Sequence, residues 1–365
     1  MSGLPSFAVI GANGFIGSRL VEILHLERGA RVRPVVRRVS GLALSARFGI
    51  EGRIADALDT REMEAALSGC DVVVHAIAGD PRTIVRSVEP VYRAAEAAGC
   101  RRLVYLSSAM VHGQAPAPNV DEKSPLAQRQ AIPYNGAKVR AEATLFGLRR
   151  RGTLEAVALR PGIVFGPRSS WTGGFADALL AGEAFLVGGG EGICNAIYVD
   201  NLVHAIELAA RVEKADGEAF LIGENERMTW RELYRPIVEA LGSDLSAVAS
   251  PELENASRPS PRERLDALRL SPPVQSVLEA LPQGLRRAIG ALWSASGALP
   301  ETPARPRPTL ETALLHRSRY VPSFAKARSI LGYDPIVSRS EAIRRTIGWL
   351  AFAGYPIRAG LRKEG

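Results

Sequence analysis

Cysteine is scarce in this chain of 365 residues: Cys70, Cys100 and Cys194 are the whole complement. Three cysteines without metal-ligand spacing argue against a disulfide framework and for a reducing compartment. Long apolar runs are also missing. No stretch of roughly 18 uninterrupted apolar residues occurs, so a membrane-spanning helix is not expected. No basic-then-apolar leader precedes Phe7-Ala8-Val9-Ile10, and a cytoplasmic location is the expectation. The net charge is +8. Yet no basic stretch is interleaved with aromatics, as a nucleic-acid stacking surface needs. Nucleic acid is therefore not an expected partner. Scattered arginines account for the charge, and they suit an anionic cofactor and substrate. No internal repeat is present.

What the chain does contain is alternation. Phe7–Ile10, Val32–Val36, Val72–Ala76, Leu103–Ser107 and Ala156–Leu159 are short β-branched or apolar runs. Helical stretches at Phe15–Leu26, Arg61–Ala66, Val88–Ala98 and Asn135–Arg149 separate them. Such alternation predicts an α/β fold with a doubly wound parallel sheet. The length suits about two domains. The expected dinucleotide domain is 1–166, with a returning segment at 195–222. A smaller, interleaved substrate region is expected from 167–194 and 223–365. Within it, a Pro/Arg-rich insertion covers 250–312, where ten prolines break any long element. Inside that insertion, Leu285, Ile289, Leu292 and Trp293 fall on one helical face beside Arg286 and Arg287. Packing on the core is the first reading of this face; contact of 283–299 with a membrane surface is the alternative.

The first chemistry-bearing element is Gly11-Ala12-Asn13-Gly14-Phe15-Ile16-Gly17, between a strand and a helix. A pyrophosphate needs backbone N–H donors at close range and the positive end of a helix dipole. Gly11 suits the tight turn, Gly14 the close approach and Gly17 the packing of helix on strand. Asn13, Phe15 and Ile16 complete the expected cradle. The second strand ends in Arg37-Arg38, with no acid nearby. Arginine's fork suits a 2′-phosphate, so NADP(H) is the preferred cofactor and NAD(H) the alternative. Asp56 is a candidate acceptor for the adenine amino group; an ordinary loop acid is the other reading.

The second element is Tyr134-Asn135-Gly136-Ala137-Lys138. Tyrosine and lysine four apart share a helical face. A phenol with a pKa of about 10 is a poor base at neutral pH. A neighbouring ammonium, together with the positive nicotinamide ring, is expected to lower that value. Ser108, at a strand end, is the candidate for orienting the substrate oxygen. His75 and His112 read as structural rather than catalytic.

Serine, tyrosine and lysine in this order behind a glycine loop resemble the extended short-chain dehydrogenase/reductases of the NAD(P)-dependent epimerase/dehydratase family. The resemblance covers about residues 5–235 and resumes over 316–350. Its catalytic residues fall on Ser108, Tyr134 and Lys138. Its Arg-Pro-Gly strand end falls on Arg160-Pro161-Gly162, and a substrate-side motif falls on Tyr198-Val199-Asp200-Asn201-Leu202. The resemblance implies that Lys138 also holds the nicotinamide ribose. It further implies that Ala76, Pro161 and Val164 line the cofactor, and that the protein is a homodimer.

Departures narrow the reaction. Dehydratases of the family carry an Asp-Glu pair where this chain has Ala109 and Met110; the decarboxylases' glutamate and the 3,5-epimerases' cysteine are missing too. Carbonyl reduction, alcohol oxidation or 4-epimerisation remains. Ile163 stands where nucleotide-sugar members often have asparagine, and Arg-Pro-Gly-Ile resembles 3β-hydroxysteroid-type members. A nucleotide-linked sugar is the first substrate expectation, an apolar hydroxy or keto compound the second, and a non-catalytic NADP sensor a third reading. Ala109, Met110, Arg168 and Tyr198 are the candidate substrate residues, and no metal is expected. The span between His75 and Val88 lacks the family's Asn-x-x-Gly-Thr run, which implies a cofactor pocket closed differently there.

Overall fold

The computed structural model describes residues 4–252 and 308–358. Seven strands form one parallel sheet: β1 (Phe7–Ile10), β2 (Val32–Val36), β3 (Arg53–Ile54), β4 (Val72–His75), β5 (Arg102–Leu106), β6 (Glu155–Pro161) and β9 (Ala219–Ile222). Their order is β3-β2-β1-β4-β5-β6-β9, with Phe7 opposite both Val32 and Val72. Every residue of β1, β4 and β5 is buried, as a sheet covered on both faces requires. Successive side chains enter opposite cores. Val72 and Val74 join one hydrophobic cluster, and Val73 joins the other. The chain reverses direction across the sheet between β1 and β4, so a crevice opens there at the carboxyl ends of the strands.

Helices cover both faces: α1 (Phe15–Glu22), α2 (Thr60–Leu67), α3 (Pro81–Arg86), α4 (Val88–Ala97) and α5 (Pro133–Arg149) lie within the first half. The α1 helix runs into a π-turn at Ile23–Glu27, where a single long helix is expected from the sequence.

Beyond β6 the chain builds a second unit. β7 (Ile163–Phe165) and β8 (Ala196–Tyr198) pair in parallel as a separate two-stranded sheet. So the segment 195–222 returns only partly to the main sheet: β9 joins it and β8 does not. Around β7 and β8 lie α6 (Ser170–Leu180), α7 (Val199–Arg211), α8 (Trp230–Ala240), α9 (Leu310–His316) and α10 (Arg339–Phe352). Aromatic rings join several of them. Phe175 of α6 stacks on Tyr234 of α8 at 3.8 Å, and Trp230 stacks on His316 of α9 at 4.5 Å.

Asp200 and Asn201 fasten the C-terminal return. Asp200 accepts two hydrogen bonds from Arg19 of α1, at 2.7 and 2.9 Å, and one from Arg345 of α10 at 3.0 Å. Asn201 donates to the Val337 carbonyl and accepts from the Ile336 and Val337 amides. These two residues of the motif expected on the substrate side are therefore a clamp between lobes. The face at Leu285–Trp293 lies outside the described residues, as does most of the 250–312 insertion. No helix among the described residues is long and apolar enough to cross a membrane.

Candidate active site

A groove of about 670 Å³ runs along the carboxyl ends of β1, β2 and β4. It brings together Gly11, Asn13, Gly14, Phe15, Ile16, Arg37, Arg38, Asp56 and Ala76, each expected to contact cofactor. The glycine loop is built for backbone approach. Gly11 has φ +81°, a left-handed conformation that side chains resist. Gly17 lies under the groove, where a Cβ would stand 2.3 Å from the Gly11 carbonyl oxygen, so α1 packs on the loop only with glycine there. No side chain caps the start of α1, whereas Asp59 caps α2 and Ser169 caps α6. The first amides of α1 are thus left without a side-chain acceptor beside the loop. These residues fit a dinucleotide.

Other groove residues escape the sequence reading. Asp80 caps α3 by accepting from the Thr83 amide at 2.9 Å and from its hydroxyl at 2.7 Å. Ile77, Ala78, Asp80 and Thr83 all line the groove. This short wall replaces the longer run missing between His75 and Val88. Pro161 and Val164 are buried at the other end of the crevice and do not line the groove.

Ser108 ends the loop after β5 and starts a one-turn helix at Ala109–His112. Its hydroxyl oxygen accepts from the Met110 amide at 3.2 Å. With that lone pair engaged, the hydroxyl hydrogen is available to a substrate oxygen. Tyr134 and Lys138 stand on the same face of α5. The Lys138 ammonium lies 5.6 Å from the Tyr134 ring centre and donates to the carbonyls of Leu106, at 2.6 Å, and Ile77, at 3.2 Å.

The protein surroundings of Tyr134 shift its phenol upward. Burial pushes the phenol up to about 12, and the negative charge of Glu311 adds to the rise. Burial also pushes Lys138 down to about 7, against the pull of Glu142. Two backbone carbonyls, not the phenol, hold the ammonium. These surroundings favour the neutral phenol of Tyr134.

Behind these residues runs a buried ionic network that motif matching misses. Glu142 is 1% exposed and Arg160 is 4% exposed. Arg160 donates to Glu142 through Nε at 3.0 Å and Nη2 at 2.6 Å. The Ser107 hydroxyl donates to the same carboxylate. Arg160 Nη1 also donates to His112 Nε2 at 3.3 Å, so that nitrogen is the acceptor. His75 is fully buried, bonded to Ser87 at 2.9 Å, and pushed down to about 3 by burial. Both histidines are structural in this arrangement. The sequence signal for Glu142 is its spacing: it follows Lys138 by four on the inward face of α5.

Two candidate substrate residues sit elsewhere. Arg168 pairs with Glu22 of α1 at 3.5 Å, which turns its charge toward the cofactor helix. Tyr198 is 1% exposed, with its ring edge-on to Phe165 at 5.6 Å, so it belongs to the core. Ala109 and Met110 do line a cavity beside the catalytic turn.

A glycine-loop groove at the carboxyl ends of a parallel sheet, with Ser108 after β5 and Tyr134 and Lys138 on α5, defines the class. The protein is an oxidoreductase or epimerase of the extended short-chain dehydrogenase/reductase class, acting on a carbonyl or secondary alcohol. Residues 7–223 match the NAD dependent epimerase/dehydratase family, and the chain belongs to that family. It is 27% identical over 376 residues to a 3beta-hydroxysteroid-dehydrogenase/decarboxylase of Arabidopsis thaliana, covering 93% of this chain and 78% of that protein. It is 34% identical over 223 residues to a 3-diazoavenalumate denitrifying reductase of a Streptomyces species, covering 56% of this chain and 72% of that protein. In fold it resembles a UDP-glucose 4-epimerase of Thermotoga maritima solved with UDP-glucose. There the TM-score is 0.67 at 21% identity, covering 95% of this chain and 99% of that one.

Proposed function

We propose that this protein reduces a carbonyl group on an apolar skeleton, using NADPH. The observation that carries the substrate class is the wall beside Ser108. Ala109, Met110, Pro116, Val120, Leu221 and Pro322 supply its apolar lining, and no Lys, Arg, Asp or Glu is among the lining residues. Arg168 and Arg211, cations that could serve a sugar diphosphate, are engaged elsewhere: Arg168 with Glu22, and Arg211 Nε with the Glu207 carbonyl at 3.2 Å. The hydroxysteroid-type relative supports the same reading.

In the reducing direction, a protonated Tyr134 serves as the acid. A nicotinamide dinucleotide held by the groove would supply the hydride. Ser108 donates its hydroxyl hydrogen to the carbonyl oxygen and fixes it. Tyr134 gives its phenolic proton to that oxygen, and the product is the secondary alcohol. Lys138 spans the ends of β5 and the Ala76–Ile77 loop, and so holds the Tyr134 face of α5 against the groove.

A panel of substrates tests the reading. Purified enzyme with NADPH should reduce cyclic and long-chain apolar ketones and leave UDP- and dTDP-linked 4-keto sugars untouched. Turnover of the sugar nucleotides alone would overturn it and restore the first expectation from the sequence.

The cofactor preference rests on Arg37 and Arg38. Both are exposed on the groove at the end of β2, and no carboxylate among the described residues pairs with either. Replacing both with alanine should lower the NADP-to-NAD ratio of kcat/KM about 10–100-fold, the value of one or two charge-assisted hydrogen bonds. The kinetics with NAD should stay as they were. An unchanged ratio would mean that the arginines are only solvated surface residues. The three cysteines are free and buried, which fits a reducing cytoplasm.

A further inference from the structure

The cavity beside the catalytic turn has a polar end that the proposed chemistry does not use. Gln114 and Tyr320 reach it from opposite parts of the chain, Gln114 from the loop after the Ala109–His112 turn and Tyr320 from the segment after α9. Each is 7% exposed. The Gln114 amide nitrogen and the Tyr320 hydroxyl are both buried without a hydrogen-bond partner. Buried polar groups are rarely left so, because the cost of an unmet donor is high.

The Gln114 amide is held in one orientation. Asn135, the residue after Tyr134 and itself 1% exposed, donates to the Gln114 carbonyl oxygen at 2.8 Å. That bond consumes the acceptor end and leaves the N–H donors free. His112 also lines the cavity; its Nε2 accepts from Arg160, and its Nδ1 is a third buried polar atom without a hydrogen-bond partner. Asn195 also lines the cavity, and Met110, Val120, Leu221 and Pro322 supply its apolar wall. The space is about 10 Å³. A void of roughly 10–15 Å³ accommodates one water, and hence one oxygen atom.

We propose that Gln114 and Tyr320 form a subsite for a second oxygen function on the substrate, a carbonyl or hydroxyl remote from the one being reduced. The proposal rests on the apolar-ketone reading and sharpens it: the substrate is an apolar skeleton bearing oxygen at two places. Gln114 donates to that oxygen, and Tyr320 donates or accepts. A substrate lacking it leaves both groups unpaired, which penalises binding more than the contact itself contributes.

The test compares monoketones with diketones and hydroxyketones of the same carbon skeleton, in wild type, Tyr320→Phe and Gln114→Leu. Wild type should favour the doubly oxygenated member about 10–100-fold in kcat/KM. Tyr320→Phe removes one hydroxyl that has no hydrogen-bond partner among the described residues, so the fold is retained and the preference should fall about tenfold. Gln114→Leu should reduce it similarly, with circular dichroism checking the fold after loss of the Asn135 bond. A wild type without preference, or a preference that both variants keep, overturns the subsite while leaving the apolar-ketone reading standing. Variants that lose thermal stability but keep the preference show that the two groups hold a structural water, and this also overturns the subsite. Absence of turnover on every ketone overturns the underlying reading, and the subsite with it.

Discussion

Tyr134→Phe should lower kcat for carbonyl reduction by roughly 10²–10⁴-fold, the usual contribution of a positioned general acid. The substitution removes one oxygen and nothing else of consequence. No described residue hydrogen-bonds the Tyr134 hydroxyl, so the melting temperature should be unchanged. Dinucleotide affinity should also hold, because the groove is lined by the glycine loop, β2 and the Ala76–Thr83 wall, not by Tyr134. The loss should therefore fall on kcat and leave cofactor binding alone, as expected for a group acting in the transition state. Turnover within about tenfold of wild type would remove Tyr134 from the chemistry.

The pH profile gives an independent check. A general acid works while protonated, so its activity is lost as pH rises through its pKa. Burial and Glu311 push the Tyr134 phenol up to about 12, which places the falling limb in strongly alkaline solution. Reduction should run evenly through neutral pH, and the alkaline limb should be missing from the residual activity of the Phe variant. A limb near neutrality that survives in Tyr134→Phe would belong to another group. Lys138, pushed down to about 7 by burial, is the first one to examine.

How much of this was legible depended on whether a signal was local. β1, β4 and β5 are short runs dominated by apolar residues, with only His75 and Arg102 polar, and their burial on both faces follows from that pattern. β3 is two residues long, and β9 is a short apolar run far from the first strands, so neither stands out from composition. The pairing of β7 with β8 joins residues about 33 apart, Ile163 with Ala196, and only tertiary structure decides which sheet takes them. Ser108, Tyr134 and Lys138 were recognisable because order and spacing carry the chemistry.

Direction was not recognisable. The motif match to Tyr198-Val199-Asp200-Asn201 is silent on the fact that the tyrosine turns into the core and that Asp200 and Asn201 grip the C-terminal return. Spacing set Lys138 beside Tyr134 correctly, yet it could not reveal that two carbonyls take the ammonium. The upward shift of the tyrosine comes from its burial and from Glu311, which lies 177 residues further along the chain.

The second large effect lies in the buried pair beneath the site. Glu142→Leu should destabilise the fold by about 3–5 kcal/mol, the cost of leaving a buried charge uncompensated. Arg160 is 4% exposed, and the Glu142 carboxylate is its only anionic partner among the described residues. The Ser107 hydroxyl would lose its acceptor at the same time. Lys138 would lose the one charge that favours its ammonium, so its pKa should drop further below about 7.

Ser107 precedes the catalytic serine, and Lys138 precedes Glu142 by one helical turn, so stability and turnover should fall together. A second substitution separates the causes. In Glu142→Leu/Arg160→Met no unpaired charge remains, and an apolar pair of similar volume often costs little against a buried ion pair. The double variant should therefore recover at least half of the stability lost by the single one in urea unfolding. It should not recover full activity, because Ser107 and Lys138 still lack their carboxylate. A single variant losing less than about 1 kcal/mol would show that solvent reaches Arg160 and that the network does not brace the catalytic turn.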